Sequence, residues 1–325
     1  MPYCVGVIGC GRWGIKHIET LLQMKEQGQI SHVFACDINL QRLEILPTTV
    51  DQKFTSWKEM LDSVSLDLVT VATPNSTHFL LGRQILSKGV DVLIEKPVAT
   101  NLGDVQTLCK TSVQHQTHLH SGYLLRYHSV ILDAKERIRR GDIGTVKSIR
   151  YVKYSPRIKS RRSHIVSGLA SHAFDTIPFL VNLRQNPFIK NAVALNQGGP
   201  SLLNQATKGI INLQYKADKS GSNVDVEVSV GWEMEARFSI TLEGTKGILS
   251  LELQGEGALS TDLNNSAPSL ISSLAKTPPL EFQYVNILYA TELALSNKNS
   301  HLETAQLIEL VVSRMENWRT QYVSK

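Results

Sequence analysis

Cysteine is scarce: four in 325 residues, at Cys4, Cys10, Cys36 and Cys109, scattered and never as a C-x-x-C pair. That spacing excludes a disulfide framework and offers no zinc pattern, so the thiols read as small buried hydrophobes. Long apolar runs are missing too. The most apolar stretches, such as 68–72, fall far short of the roughly 18 residues that cross a bilayer, and no membrane partner is expected. Residues 1–8 run straight into a strand-like segment with no basic leader and no small-residue cleavage site, which gives a cytoplasmic location as the expectation. Nor is charge of one sign in large excess. The net charge is +5, spread over both halves except for one cluster, whereas a nucleic-acid protein would carry a concentrated basic face. No internal repeat interrupts the chain.

What is present is the ordinary mixture of a folded protein, 42% hydrophobic and 19% charged. A chain of this length exceeds the usual single core, so two domains are expected, with the division at 1–122 and 123–325. In the first, short β-branched runs at 4–8, 32–36, 66–71, 92–94 and 119–122 alternate with amphipathic stretches at 13–24, 76–88 and 102–115. Largely apolar strands separated by helices predict a doubly wound parallel sheet covered on both faces, a Rossmann-type α/β domain. The second reads as α+β: helices at 125–140 and 167–183, strands at 146–154, 192–196, 209–215, 223–232, 235–243 and 247–253, and a last helix at 304–322. These predict a mainly antiparallel open sheet with helices on one face. The stretch 255–268, rich in Gly, Ser and Asn, reads as a surface loop.

Between the first strand and the first helix, residues 9–14 spell G-x-G-x-x-G. Gly9 turns the chain, Gly11 admits a pyrophosphate, Gly14 lets helix pack on sheet, and the helix N-terminus faces the phosphates. The whole loop, Arg12 and Trp13 included, is therefore a candidate cofactor contact. As side chains on the helix, Trp13 and His17 read as packing and surface residues. Asp37 ends the second strand at the spacing of a carboxylate that binds ribose hydroxyls and repels a 2′-phosphate, which predicts NAD(H) over NADP(H).

Three further stretches carry a resemblance. The third strand ends in Ala72-Thr73-Pro74-Asn75-Ser76-Thr77-His78, the next runs into Glu95-Lys96-Pro97, and Gly122-Tyr123 with Arg126 precedes Gly141-Asp142-Ile143-Gly144. In order and spacing these resemble the T-P-N-x-x-H, E-K-P and domain-linking segments of the Gfo/Idh/MocA oxidoreductases, over roughly the first half of the chain. The resemblance implies that Thr73, Pro74, Asn75, His78, Glu95, Lys96 and Pro97 border the cofactor and that the Lys-Pro bond is often cis. It further implies a sugar, cyclitol or nucleotide-linked sugar as substrate, and a homodimer or homotetramer that covers the open sheet. Lys96 follows a strand at the carboxyl edge of the sheet, where a cation polarises a reacting oxygen and stabilises a developing alkoxide.

The pattern breaks in the second domain. Family members carry D-x-x-x-H-x-x-D, with the first Asp and the His near the reacting carbon; here residues 168–175 place Gly168 at the first position and keep His172 and Asp175, and Asp175 and Arg126 join His172 as candidate substrate contacts. With α-helical spacing an Asp at 168 would share a face with His172. His172 is the candidate general acid or base, since imidazole titrates near neutrality. Gly168 leaves open an altered substrate geometry, reduction with another proton donor, or lost catalysis; the last corresponds to a non-catalytic dinucleotide-binding sensor. Tyr154 and Ser171 are candidates for replacing the missing polar contact. Lys153, Arg157, Lys159, Arg161 and Arg162 crowd the stretch before the His172 helix, either as a solvated loop or as a site for an anionic substrate group. His115, His118 and His120 straddle a helix end and a strand start, so diverging side chains and no metal site are expected.

Overall fold

The computed structural model describes residues 3–157, 164–183, 186–196, 199–216, 223–253, 258–261, 277–289 and 300–316. The chain divides into two compact units, one of Met1–Leu124 with Thr277–Ala305 and one of Leu125–Lys276 with Gln306–Lys325. A single cut after residue 122 therefore misses one connection: a late segment returns to the N-terminal unit.

That unit is a six-stranded parallel sheet in the order β3-β2-β1-β4-β5-β6, built from β1 (Tyr3–Ile8), β2 (Ile30–Cys36), β3 (Gln52–Phe54), β4 (Leu68–Val71), β5 (Asp91–Ile94) and β6 (Leu119–Ser121). Helices α1 (Arg12–Glu26), α2 (Leu40–Glu44), α3 (Trp57–Ser63), α4 (Asn75–Ser87) and α5 (Leu102–Gln114) connect them. On one face Ile18, Leu21, Leu22 and Met24 of α1 pack with Val5, Val7 and Val33. Burial of each such aliphatic side chain contributes about 1.5–3 kcal/mol. The returning helix α8 (Pro279–Leu288) completes this face with Leu280, Tyr284 and Ile287. The opposite face gathers Val69, Val71, Leu81, Ile85, Val92 and Leu108. Side-chain caps start three of the helices: Asn39 for α2, Ser56 for α3 and Asn101 for α5. No side chain caps α1 or α4, so their first N–H groups are open to an anion or to water.

The second unit is an eight-stranded sheet, β14-β13-β12-β7-β11-β10-β8-β9, in which β7 (Val146–Ser155) and β11 (Asn223–Trp232) run parallel and the other pairs antiparallel. Its remaining strands are β8 (Phe188–Asn196), β9 (Gly199–Pro200), β10 (Lys208–Lys216), β12 (Arg237–Gly244), β13 (Ile248–Glu252) and β14 (Ala258–Thr261). β14 lies inside the stretch expected to be a loop. Apolar residues such as Ile149, Tyr151, Leu213, Val226, Val228, Ile240 and Leu251 are buried, and α6 (Ser129–Arg140) packs beside α7 (Ser171–Val181). Polar side chains alternate with them and pair across strands: Arg150 with Glu227 at 3.0 Å, Lys190 with Asp225 at 2.6 Å, and Ser148 with Glu243 at 3.1 Å. A face of this composition is stable in water, so the need for a covering partner argued from the sequence does not follow from these strands. The last helix, α9 (Ser300–Glu316), starts four residues earlier than expected. The remainder of that expected helix lies outside the described residues. Among the described residues no helix is long and apolar enough to cross a membrane.

Candidate active site

Four loops of the N-terminal unit leave the carboxyl edge of its sheet, after β1, β2, β4 and β5. In the first, Gly9 has φ +95°, and a Cβ added there would come within 2.7 Å of the Ala72 carbonyl. A Cβ on Gly14 would fall 1.7 Å from the Gly9 carbonyl, which is how closely α1 approaches the strand. Above Gly11 an added Cβ would meet nothing within 4 Å. The loop therefore presents bare backbone and an uncapped helix N-terminus to open space, a cradle with the shape and polarity for a pyrophosphate. Arg12 is exposed and Trp13 half-buried beside it, with the Lys16 ammonium 5.3 Å from the Trp13 ring centre.

Asp37 is buried at the end of β2 and serves as the loop's anchor. Its Oδ2 accepts from the Cys10 backbone N–H at 2.8 Å, its Oδ1 from the Asn39 N–H at 2.8 Å, and Arg42 Nη1 approaches at 3.3 Å. A carboxylate has about four acceptor sites, so capacity is left for a ribose hydroxyl. Burial first, and the Asp37 charge second, push the Cys10 thiol up to about 12; burial and Asp37 do the same for Cys36. Both are the inert buried hydrophobes expected.

After β4, Thr73 and Thr77 share a 2.7 Å hydroxyl hydrogen bond, and Asn75 opens α4. His78 is buried, with Nδ1 2.8 Å from the Pro97 carbonyl and Nε2 2.9 Å from the Thr73 carbonyl. Its ring ties the β4 loop to the β5 loop and is spent on backbone. In that second loop the Lys96–Pro97 peptide is cis. Burial pushes the Lys96 ammonium below the ordinary lysine range; Glu95 opposes that shift and Arg12 reinforces it.

One residue read as a surface position belongs to this site instead. His17 is fully buried, its Nε2 3.0 Å from Glu95 Oε1 and its Nδ1 2.7 Å from the Tyr284 hydroxyl. The signal was in the helix period: Gly14, His17, Ile18 and Leu21 form the buried stripe of α1, and a histidine in an apolar stripe requires partners. Nothing in the sequence announced Tyr284, 267 positions away.

In the second unit His172 stands partly exposed in the first turn of α7. Gly168 lies in a π-helical turn, Val166–Ala170, and its N–H donates to the His164 carbonyl at 2.9 Å. The Ser171 N–H reaches back five residues to the Val166 carbonyl, so the turn is wider than α-helical while positions 168 and 172 still lie about one turn apart. Ser171 is buried and donates to the Ser167 carbonyl at 2.8 Å, so its hydroxyl closes its own helix turn. Arg126 and Asp175 face each other, Nε at 2.8 Å from both carboxylate oxygens and Nη2 at 2.7 Å from Oδ1. Their side chains are only 6% and 0% exposed, so each charge is engaged by the other inside the unit. Tyr154 bonds to Ser229 at 2.8 Å, and Lys153 sits 4.4 Å from the Phe238 ring centre. Arg157 is exposed; Lys159, Arg161 and Arg162 lie outside the described residues. The rings of His118 and His120 stack 6.1 Å apart rather than diverging, and His118 meets Asp91 at 3.1 Å. Among the described residues no group of three or more His, Cys, Asp or Glu side chains is placed to hold a metal ion.

Residues 4–123 match the Gfo/Idh/MocA family, an oxidoreductase family with an NAD-binding Rossmann fold. An inositol 2-dehydrogenase of Leifsonia xyli is 24% identical over 229 residues, 70% of this chain and 66% of that enzyme. Two solved structures share the fold over nearly full length. UDP-N-acetylglucosamine 3-dehydrogenase GnnA of Acidithiobacillus ferrooxidans superposes with a TM-score of 0.78 at 17% identity, covering 98% of this chain and 99% of that one. Scyllo-inositol dehydrogenase of Lactobacillus casei, solved with NAD(H) and scyllo-inositol, gives 0.73 at 17% identity, with 98% of each chain covered. With its glycine cradle, anchored Asp37 and E-K-P lysine on the edge of one parallel sheet, the stretch 4–123 is similar to the NAD-binding Rossmann domain of the Gfo/Idh/MocA oxidoreductases.

Proposed function

We propose that the protein is a dehydrogenase or reductase that works with NAD(H) on a secondary alcohol or ketone of a sugar, cyclitol or nucleotide-linked sugar. The observation that carries the reading is the carboxyl edge of the parallel sheet. There, open backbone above Gly11, the buried Asp37 carboxylate and the Glu95-Lys96-Pro97 loop are carried on strands β1, β2 and β5, the first two adjacent in the sheet. That is the edge on which open α/β sheets bind ligands. The relatives named above act on a cyclitol and on a nucleotide-linked sugar, and the basic residues at 153–162 suit the phosphates of the second class. The homodimer or homotetramer belongs to the same proposal and rests on the family resemblance.

The N–H groups at the start of α1 would hold the pyrophosphate, and Asp37 the adenosine ribose. A bound nicotinamide supplies hydride exchange with the carbinol carbon. Lys96 places a cation where negative charge develops on the substrate oxygen and stabilises it. His172 is the residue we assign to exchange of the hydroxyl proton. Arg126 and Asp175, closed on one another, hold the second unit's core instead of reaching a ligand.

A panel of inositols, sugars, nucleotide sugars and their ketones, followed by NADH absorbance, tests the activity. Turnover of one class fixes the substrate type; NADH binding with no turnover across the panel overturns the enzymatic reading in favour of a sensor. Cofactor choice is tested separately by calorimetry. NAD(H) is expected to bind more tightly than NADP(H), and Asp37→Ser to narrow the gap by releasing Arg42 toward a 2′-phosphate. Equal affinity of the unaltered protein for both cofactors would remove Asp37 from the specificity role.

A further inference from the structure

Four polar side chains from four elements meet inside the N-terminal unit. Thr70 of β4 lies 2.7 Å from the Tyr284 hydroxyl of α8, that hydroxyl 2.7 Å from His17 Nδ1 of α1, and His17 Nε2 3.0 Å from the Glu95 carboxylate that follows β5. Thr70, His17 and Tyr284 are all fully buried, and only the Glu95 end of the chain, 13% exposed, reaches solvent. A carboxylate only accepts, so Nε2 must donate; Nδ1 of the neutral ring then accepts, and Tyr284 donates to it. The chain runs one way, from Thr70 through Tyr284 and His17 into Glu95. Gly122 makes room for its end, since a Cβ there would come within 2.9 Å of the Glu95 carboxyl carbon. Glu95 Oε2 also accepts from the Lys96 backbone N–H at 3.2 Å.

We propose that His17 and Tyr284 are positioning residues: they hold the Glu95 carboxylate beside Lys96, and Glu95 in turn sets a negative charge next to the Lys96 ammonium. A carboxylate held at both oxygens keeps its orientation, and with the Lys96 N–H on Oε2 the remaining need is a donor to Oε1. His17 supplies that donor, and Tyr284 locks the tautomer that can supply it. Among the described groups that bear on the Lys96 charge, Glu95 on its own loop favours the charged form and Arg12 at the start of α1 opposes it, so loss of the Glu95 charge adds to the downward push of burial. This inference rests on the assignment of Lys96 to the reacting end of the cofactor site.

The test needs neither substrate nor cofactor. With 15N-labelled lysine and histidine, the Lys96 side chain is titrated by NMR, its signal identified by its loss in Lys96→Ala. In His17→Leu the Lys96 titration is expected to move down by about one pH unit or more, the scale of losing a nearby opposite charge. His17→Gln, whose amide can still donate to Glu95, should recover most of the shift. In the unaltered protein the His17 ring should show Nε2 protonated and Nδ1 bare, and Tyr284→Phe should weaken that pattern while moving Lys96 less than His17→Leu does. An unchanged Lys96 titration in His17→Leu overturns the proposal, as does an Nδ1-protonated His17. Should His17→Leu fail to fold, the tautomer and Tyr284→Phe decide by the same criteria. Because these signals are read on the protein alone, a chain that binds NADH and turns nothing over fails the functional reading without touching this one.

Discussion

Lys96→Ala is expected to lower turnover about a hundredfold or more, the scale of removing one preorganised electrostatic contact to a transition state, while NADH affinity stays within a few-fold. The separation of the two effects follows from position. In the proposed function the glycine cradle and Asp37 would hold the cofactor from the β1 and β2 loops, whereas Lys96, on the β5 loop, would serve the oxygen of the other reactant. Because burial lowers the Lys96 ammonium below the ordinary lysine range, its proton is lost at lower pH than from an exposed lysine. Turnover that depends on the ammonium should accordingly fall on the alkaline side, and that limb should vanish in Lys96→Ala. Stopped-flow single turnovers with and without the lysine check both parts. A variant with normal turnover would show Lys96 to be a bystander.

The second large effect concerns stability. Arg126→Ala or Asp175→Ala is expected to destabilise the C-terminal unit by about 3–5 kcal/mol, the cost of stranding one member of a buried ion pair. The Arg126 guanidinium also lies 4.9 Å from the Phe179 ring centre, so truncating it removes packing as well as charge. Burial outweighs the guanidinium and pushes the Asp175 carboxyl above the usual carboxylate range, a sign of how little solvation the site supplies. Replacing both partners together by leucine should cost much less than either alanine, since no uncompensated charge remains. Hydrogen exchange at β7 and β11 amides reads the effect within the right unit. Additive losses in the double variant would show the pair to be energetically independent.

The sequence made most of the parallel sheet legible because strands such as β1, β4 and β5 are apolar runs bounded by a turn and followed by an amphipathic helix, a pattern that survives without tertiary information. Gly9, Gly11, Gly14 and Asp37 were legible for a related reason: their roles are set by local backbone geometry at fixed spacing. β3, only three residues long, carries too few residues to show a period. Helix α8 was missed although Leu280, Tyr284 and Ile287 do fall at helical spacing, because the run is short and begins at a Pro-Pro pair. The widened turn at 166–170 was not legible, because a π-turn has no simple residue signature. His17 was misjudged because a lone polar residue on a helix defaults to solvent unless its partners are known, and here they come from β5 and α8.

The return of α8 to the first sheet also has a meaning in time. The ribosome delivers 1–124 first, but Leu280, Tyr284 and Ile287, which finish one face of that unit's core, emerge only after the whole strand-rich intervening segment. At ~5–20 residues per second, the nascent Rossmann unit waits for some ten to thirty seconds with the apolar stripe of α1 partly uncovered and His17 without its tyrosine. The unit that emerges ahead of the other is thus closed only after most of that other has been made, and during the interval its uncovered apolar stripe is surface of the kind that favours aggregation.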